Sequence, residues 1–250
     1  MSRLTYWLRA VTLLVVISAL CFALAGPSQV NAGNGKPYEP IIDPANFMDE
    51  AGQPLPINNQ YWPLVPGTTF IYEAQTEDGI ERNEMKITSQ TKQILGVTCV
   101  VVWDKVWIDG ELAEETFDWY AQDKAGNVWY FGEDSKAYEN GSVSTEGSWE
   151  AGVDGAKPGI VMLADPHKGD SYRQEYYEGV AEDMGKVLRL NASASVPLGY
   201  YDQCLLTKEW TPLAPGVVEH KYYARGVGLV LVEELKGKTQ KVQLIQIVVE

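Results

Sequence analysis

The chain has 250 residues, of which 22% are charged and 11% aromatic, and its formal net charge is −14 at pH 7. A surface of this acidity repels nucleic acid and anionic lipid, so we expect no nucleic-acid partner. The same charge favours cations, or keeps an exported protein in solution.

The N-terminus has the pattern of an export signal. Arg3 and Arg9 are followed by the uncharged apolar run Ala10–Ala25 and then by a Gly-Pro pair. Small or branched residues at the −3 and −1 positions predict cleavage after Ala32. We therefore interpret residues 1–32 as a signal peptide.

A retained anchor is the alternative, but the apolar run is shorter than the roughly 20 residues that a membrane span needs. Cys21 follows Leu20, whereas bacterial lipid attachment uses a small residue before the cysteine. Removing residues 1–32 takes away two arginines and no acid, which leaves 218 residues and a charge of −16. The sequence predicts a periplasmic or secreted protein without stable membrane insertion, and leaves its oligomeric state open.

Residues 33–66 are polar and rich in proline, and we interpret them as an extended arm lying over the domain. Tyr61 and Trp62 are the residues expected to order it. The remainder, 67–250, contains no linker rich in Ser, Pro or Gly, and it is long enough for one core. We therefore expect a single antiparallel β domain.

Short runs rich in β-branched and aromatic residues follow one another along this domain. Turn signals such as Glu77-Asp78-Gly79 and Asp109-Gly110 separate them. The predicted strands fall in 68–76, 81–91, 92–109, 111–122, 127–134, 170–180, 182–193, 200–210, 217–226, 228–235 and 241–250. The class is all-β, and because a long sheet must hide its edges we favour a curled or closed antiparallel barrel, with a two-sheet sandwich as the alternative.

The segment DKAGN joins two of these strands and could be a calcium loop or a turn. Asp123 and Asn127 offer two oxygen ligands, but calcium needs six to eight, and Lys124 lies between them. Gly126 allows a positive φ, and Asp and Asn side chains cap turns. The turn is the better interpretation, with Asp123 and Asn127 kept as weak metal candidates and calcium as the only cofactor considered.

The segment Ser142–Asp170 interrupts the strand pattern with many glycines and two prolines. Loops of this length are either functional lids or ordinary connections over one barrel end.

Aromatic residues are abundant, and both faces of the predicted strands around DKAGN carry them. Rings with polar tips suit a pocket for an apolar, amphipathic or sugar-like small molecule. Trp103, Trp107, Trp119 and Tyr130 are the predicted lining residues. The alternative is that they form plain barrel core and cross-strand pairs.

His220 and Tyr222 share a strand face with Val218, so they are predicted polar contacts to the same ligand. A lone histidine on such a face is more often a satisfied core residue. Motifs of serine hydrolases, zinc proteases, P-loop and dinucleotide-binding proteins are missing from the sequence. The sequence favours a protein that is not an enzyme.

Two further features remain open. The acids in EYYEGVAEDM, which are Glu175, Glu178, Glu182 and Asp183, could supply a catalytic pair for glycan hydrolysis or lysis, but solvated acids are the simpler explanation. Cys99 and Cys204 could form a disulfide in an oxidising compartment or remain buried thiols. Only their separation in the fold decides this.

Several phrases, including NQYWPLVPGTTFIYE, DWYAQDKAGNVWYFGED and EWTPLAPGVVEHKYYARGVGLV, resemble a group of exported bacterial β-rich proteins with no known activity. The resemblance extends from about Asn59 to Leu231. The phrase KYYARGVGLVLVEE is also similar to periplasmic and lipoprotein β-sheet domains of barrel or half-barrel form. This resemblance implies a β-barrel of the cell envelope and supplies no catalytic residue.

Three hypotheses follow: a non-enzymatic envelope protein that binds a small ligand in an aromatic-lined barrel, a structural or partner-binding envelope protein without a pocket, and a carboxylate-pair glycan hydrolase or lyase.

Overall fold

The computed structural model of the protein describes residues 37–139, 141–235 and 240–250. The predicted signal peptide, 1–32, lies outside the described residues. One 3-10 helix, Pro44–Phe47, precedes the strands. The strands are β1 (Asn58–Asn59), β2 (Trp62–Pro63), β3 (Thr68–Gln75), β4 (Ile80–Ile94), β5 (Val97–Ile108), β6 (Glu111–Gln122), β7 (Val128–Glu139), β8 (Ser142–Ser144), β9 (Trp149–Glu150), β10 (Lys157–Met162), β11 (Ser171–Arg173), β12 (Glu175–Tyr176), β13 (Met184–Val196), β14 (Gly199–Trp210), β15 (Glu219–Ala224), β16 (Gly228–Glu234) and β17 (Gln240–Val249).

Fifteen strands form one antiparallel sheet, in the order β11-β13-β14-β15-β16-β17-β3-β4-β5-β6-β7-β10-β12, with β8 and β9 also paired to β7. The predicted all-β class and the nearly closed, barrel-like sheet are confirmed. The sandwich alternative is wrong, because β3–β7 and β13–β17 belong to one continuous hydrogen-bonded surface.

The chain itself joins the two edges of this sheet. The edge strands β11 and β12 are consecutive in sequence, and only Gln174 separates them. The backbone N–H of Gln174 donates to the carbonyl of Asp183 over 2.8 Å. Gly159 of β10 approaches so closely that a Cβ there would collide with the Gln174 backbone. We call the segment Ser171–Tyr176 the seam.

Alternation of side chains sets the interior face of each strand. In β13 the buried residues Ala192, Ala194 and Val196 alternate with exposed residues, as expected for a sheet with one solvated face. The buried residues of β4 change in character along the strand, from Glu81 and Asn83 to apolar side chains. One part of the interior is therefore polar.

The segment Ser142–Asp170 is not one long loop, so this part of the prediction is wrong. It contains β8, β9 and β10, all paired antiparallel with β7. The sequence does not indicate these strands because they are too short to show alternation. The glycines and prolines around them are typical of loops.

The described part of the extended arm, residues 37–66, packs against the barrel at two places. Phe47 makes edge-to-face contacts with Trp129 and Phe131, with ring centroids 6.3 and 5.6 Å apart. Trp62 lies edge-to-face between Tyr120 and Tyr223. Its 6% exposure shows that it belongs to the core.

Replacing Trp62 with alanine is expected to lower the free energy of unfolding by about 3–5 kcal/mol, because a large buried aromatic side chain leaves a cavity. Urea unfolding measures this loss. Trp103→Ala is the matched control, since Trp103 is only half-buried, and it is expected to cost less. Equal losses for both variants would contradict the placement of Trp62 in the core.

An acidic cluster inside the barrel as the candidate functional site

Five buried carboxyl groups meet in the polar part of the interior, and we call them the acidic cluster. Their exposed fractions are between 0 and 9%. The members are Asp104 of β5, Asp118 of β6, Glu133 of β7, Glu175 of β12, and Asp183 just before β13.

Asp118 and Glu133 are direct cross-strand partners. The register of β6 and β7 shifts between Asp118 and Tyr120, where three steps along β7 match two along β6. This irregularity turns both Tyr130 and Glu133 to the interior. Gly132 lies within it at φ +127°, and a Cβ there would collide with the carbonyl of Trp149. The sequence around Gly132 therefore positions Glu133.

Asp104 extends the cluster along β5. Its Oδ1 accepts a hydrogen bond from the side-chain amide of Asn83. The residue opposite Asp104 on β6 is the buried Thr116, whose hydroxyl bonds with Ser135 over 2.9 Å. Polar side chains therefore continue across three adjacent strands.

The seam supplies the other side of the cluster. Glu175 is fully buried and pairs across the sheet with Pro158 of β10. Asp183 lies beside Glu175, because the backbone carbonyl of Asp183 accepts a hydrogen bond from the N–H of Gln174. Of the four acids predicted in EYYEGVAEDM, the structure brings Glu175 and Asp183 together, whereas Glu178 is exposed.

Several oxygens of the cluster have no hydrogen-bond partner among the described residues. These are both oxygens of Glu133, both of Glu175, and Oδ2 of Asp104 and Asp118. The other oxygen of Asp118 accepts from the Tyr130 hydroxyl at 2.8 Å. Buried polar atoms are nearly always satisfied in proteins, so this concentration is unusual.

Aromatic rings border the unpartnered oxygens. Tyr120 and Tyr130 are stacked with centroids 4.9 Å apart, and Trp149 meets Tyr130 edge-on at 5.3 Å. Trp149 is the cross-strand neighbour of Glu133. Its indole N–H makes no hydrogen bond of good geometry among the described residues, but it lies close enough to the Glu175 carboxyl to lower the pKa of Glu175 against the larger effect of burial.

Burial disfavours the charged form of every member of the cluster. It raises the pKa of Asp183 to about 7, and it raises the pKa of Glu81, which borders the cluster, to about 8. The pKa values of Glu133 and Glu175 lie well above their ordinary range, because burial and then neighbouring carboxylates oppose ionisation. At neutral pH the cluster holds protons.

Another buried acid, Glu209, has a lowered pKa instead of a raised one. Burial alone would raise the pKa of Glu209, but the ammonium of Lys221 at 2.8 Å and hydroxyls of Thr207 and Tyr223 hold it below its ordinary value. Lys221 also contacts Glu219 at 3.3 Å. The interior cation is therefore already paired with these two acids.

A surface groove of about 330 Å³ adjoins the seam from outside. Lys157 and Pro158 form part of its wall, and these are the two residues of β10 that pair with β12. Glu175 is the cross-strand partner of Pro158, so the groove lies one strand away from it.

Most of the predicted ligand-lining residues lie elsewhere. Trp103 and Trp107 alternate with the buried Val102, Asp104 and Val106, so they lie on the outer face of β5. There the Lys105 ammonium is 4.0 and 5.1 Å from their ring centroids. The expectation of an aromatic inner face on β5 was wrong, because the inner face carries aliphatic and acidic side chains.

Trp119 is buried but also faces outward, where the Lys92 ammonium lies 3.3 Å from its ring centroid. Lys92 in turn pairs with Glu150 at 2.7 Å. Tyr130 alone among the six predicted contacts faces the interior, through its hydrogen bond to Asp118.

His220 and Tyr222 were expected on the inner face of β15, but the buried residues are Lys221 and Tyr223. Tyr222 instead donates to Glu233 on the outer face at 2.9 Å. The sequence predicts the wrong inner face for β15 because a lysine such as Lys221 is expected in solvent. The sequence does not show that Lys221 pairs with Glu209 inside the barrel.

The DKAGN segment forms a turn. Asp123 accepts from the Asn127 backbone and side chain and from the Trp129 indole, at 2.8–2.9 Å. Gly126 adopts φ +95°. Across the ranges that the structure describes, no three His, Cys, Asp or Glu side chains are arranged to hold a metal ion.

Cys99 and Cys204 are both buried free thiols, so the disulfide considered from the sequence is not formed in the structure. Within the described ranges, none of the helices has the length and apolar character that a membrane crossing requires.

Comparison with family models gave no match, and no curated protein matches the chain. Among solved structures, the chain is similar to a protein of Parabacteroides distasonis described as a "putative lipoprotein". The identity is 12% and the TM-score 0.42, over 75% of this chain and 98% of that chain. A similarity this low carries no argument about function.

The stability of the protein is expected to fall as the pH rises from about 4 to about 8. The carboxyls of the unfolded chain have pKa values near 4, whereas burial raises those of Asp183 to about 7 and Glu81 to about 8. Folding then takes up protons throughout this window, and each rise in pH opposes it. Urea unfolding at pH 5 and pH 8 measures the change.

The variant Glu133→Gln should weaken this dependence, whereas Asp134→Asn, on an exposed neighbour, should preserve it. Stability that rises between the two pH values would contradict the burial of ionisable carboxyls.

The two thiols should be unreactive in the folded protein, because they are buried and burial raises the pKa of each. Ellman titration of a chain lacking residues 1–32 should detect two thiols after unfolding in urea. Fewer than two would show that the disulfide forms in solution.

Proposed function

We propose that the protein is a non-enzymatic binding protein of the cell envelope, periplasmic or secreted, which holds a small polar ligand inside the barrel at the acidic cluster. One observation carries this proposal: Glu133 and Glu175, 1% and 0% exposed, have four carboxyl oxygens without a hydrogen-bond partner among the described residues. A group that satisfies them would offset a large desolvation penalty.

The location rests on the signal-like pattern of residues 1–32 and on the resemblance to exported proteins. The ligand class differs from the sequence expectation. Tyr130 is the predicted contact that reaches the cluster, where it is accompanied by acids and not by the predicted tryptophans Trp103, Trp107 and Trp119. This favours a polar ligand over an apolar one.

Glycan hydrolysis has weaker support. Glu175 and Asp183 are adjacent, but both are buried, Glu175 within the seam and Asp183 just before β13, whereas a sugar and a water molecule must fit between or beside two catalytic carboxyls.

Native mass spectrometry of the mature protein, purified from the envelope of its own host, tests the proposal. Excess mass that solvent extraction removes is expected for the wild type and for Asp134→Asn, and it should be lost in Glu133→Gln. A bare chain in all three would contradict the proposal and favour the structural or partner-binding role.

A further inference from the structure

No cation among the described residues forms a hydrogen bond with Glu133 or Glu175. Lys221 is paired with Glu209 and Glu219, and its attraction affects the pKa of Glu175 less than burial and the carboxylates of Asp183 and Asp118 do. The other charged groups that act on Glu133 and Glu175 are the acids Asp118, Glu114 and Asp183. The phenols of Tyr120 and Tyr130 are the further titratable groups beside them. A cation from outside the described residues would therefore favour the ionised forms of Glu133 and Glu175.

The surroundings suit an organic cation. The rings of Tyr120, Tyr130 and Trp149 border the carboxyls, and aromatic rings next to carboxylates attract ammonium groups through both charge and the ring quadrupole. Across the described ranges, no three His, Cys, Asp or Glu side chains are arranged to hold a metal ion.

We propose that the ligand at the acidic cluster is a compact organic ammonium ion, bound by Glu133 and Glu175 in exchange for protons. This inference rests on the proposed function and names its ligand class. Binding converts a protonated carboxyl and a free ammonium ion into a carboxylate–ammonium pair and a released proton. Charge is conserved inside the barrel, because one positive charge enters for each proton that leaves.

The seam provides the path to the cluster. Strand β12 has two residues, and Pro158 opposite Glu175 has no backbone N–H to donate. Local opening is easiest where few backbone hydrogen bonds hold an element. The groove along Lys157 and Pro158 lies beside this strand pair on the solvent side.

The test is isothermal titration calorimetry of the mature protein with propylammonium and 1,4-diammoniobutane, with 1-propanol as a neutral probe and Ca²⁺ as a metal probe. The ammonium ions are expected to bind, with affinity rising about tenfold per pH unit between pH 6 and pH 8 for one proton released. Repeating the titration in buffers of different ionisation enthalpy measures how many protons are released on binding.

The variants Glu133→Gln and Glu175→Gln should lose about thirtyfold or more in affinity, since each removes one partner of a buried charge pair. The matched controls Asp134→Asn and Glu178→Gln change exposed acids nearby and should bind like the wild type. Circular dichroism confirms that each variant folds.

Other outcomes overturn the inference separately from the proposed function. A neutral molecule recovered from the host protein, with no ammonium binding, would sustain the proposed function and reject the cation. Chelator-sensitive binding of Ca²⁺ in place of ammonium would reject the organic ligand. No probe bound, together with a bare chain from the host, would reject both.

Discussion

Closure of the sheet at the seam is the constraint on which the other features depend. The strands β11 and β12 form the two edges, and because a single residue, Gln174, joins them, the chain closes the barrel covalently. Closure removes the exposed edges that a long antiparallel sheet would otherwise present. It also excludes water from the side chains that face inward, and Glu175, within the seam, is fully buried as a result.

Exclusion of water sets the protonation of the interior. Glu209 is ionised because Lys221 and two hydroxyls compensate it. Glu133 has no such partner among the described residues, so the same burial favours its neutral form. The barrel thus contains one compensated and one uncompensated acidic region. An uncompensated region costs stability, and such costs are found most often where binding or catalysis needs them.

The sequence predicts the fold better than the site. Regular strands such as β4, β5 and β14 follow from alternation and turn residues, whereas β8–β10 are too short for alternation to reveal them. The inward turn of Glu133 depends on an irregularity at Gly132, which no periodicity shows. Trp103 and Trp107 suggested an aromatic inner face, but long-range partners decide which face is buried. The acids beside aromatic residues in DWYAQ and VWYFGED were the available signal for the cluster.

Infrared spectroscopy of the carboxyl C=O stretch in ligand-free protein at pH 7 tests the central claim, that the barrel interior holds uncompensated carboxyl groups. Burial without a cation predicts bands of protonated carboxylic acids at this pH, lost in part when Glu133 or Glu175 is changed to glutamine. A spectrum that contains only ionised carboxylates would contradict it, because the interior would then have a compensating charge that the described residues do not supply.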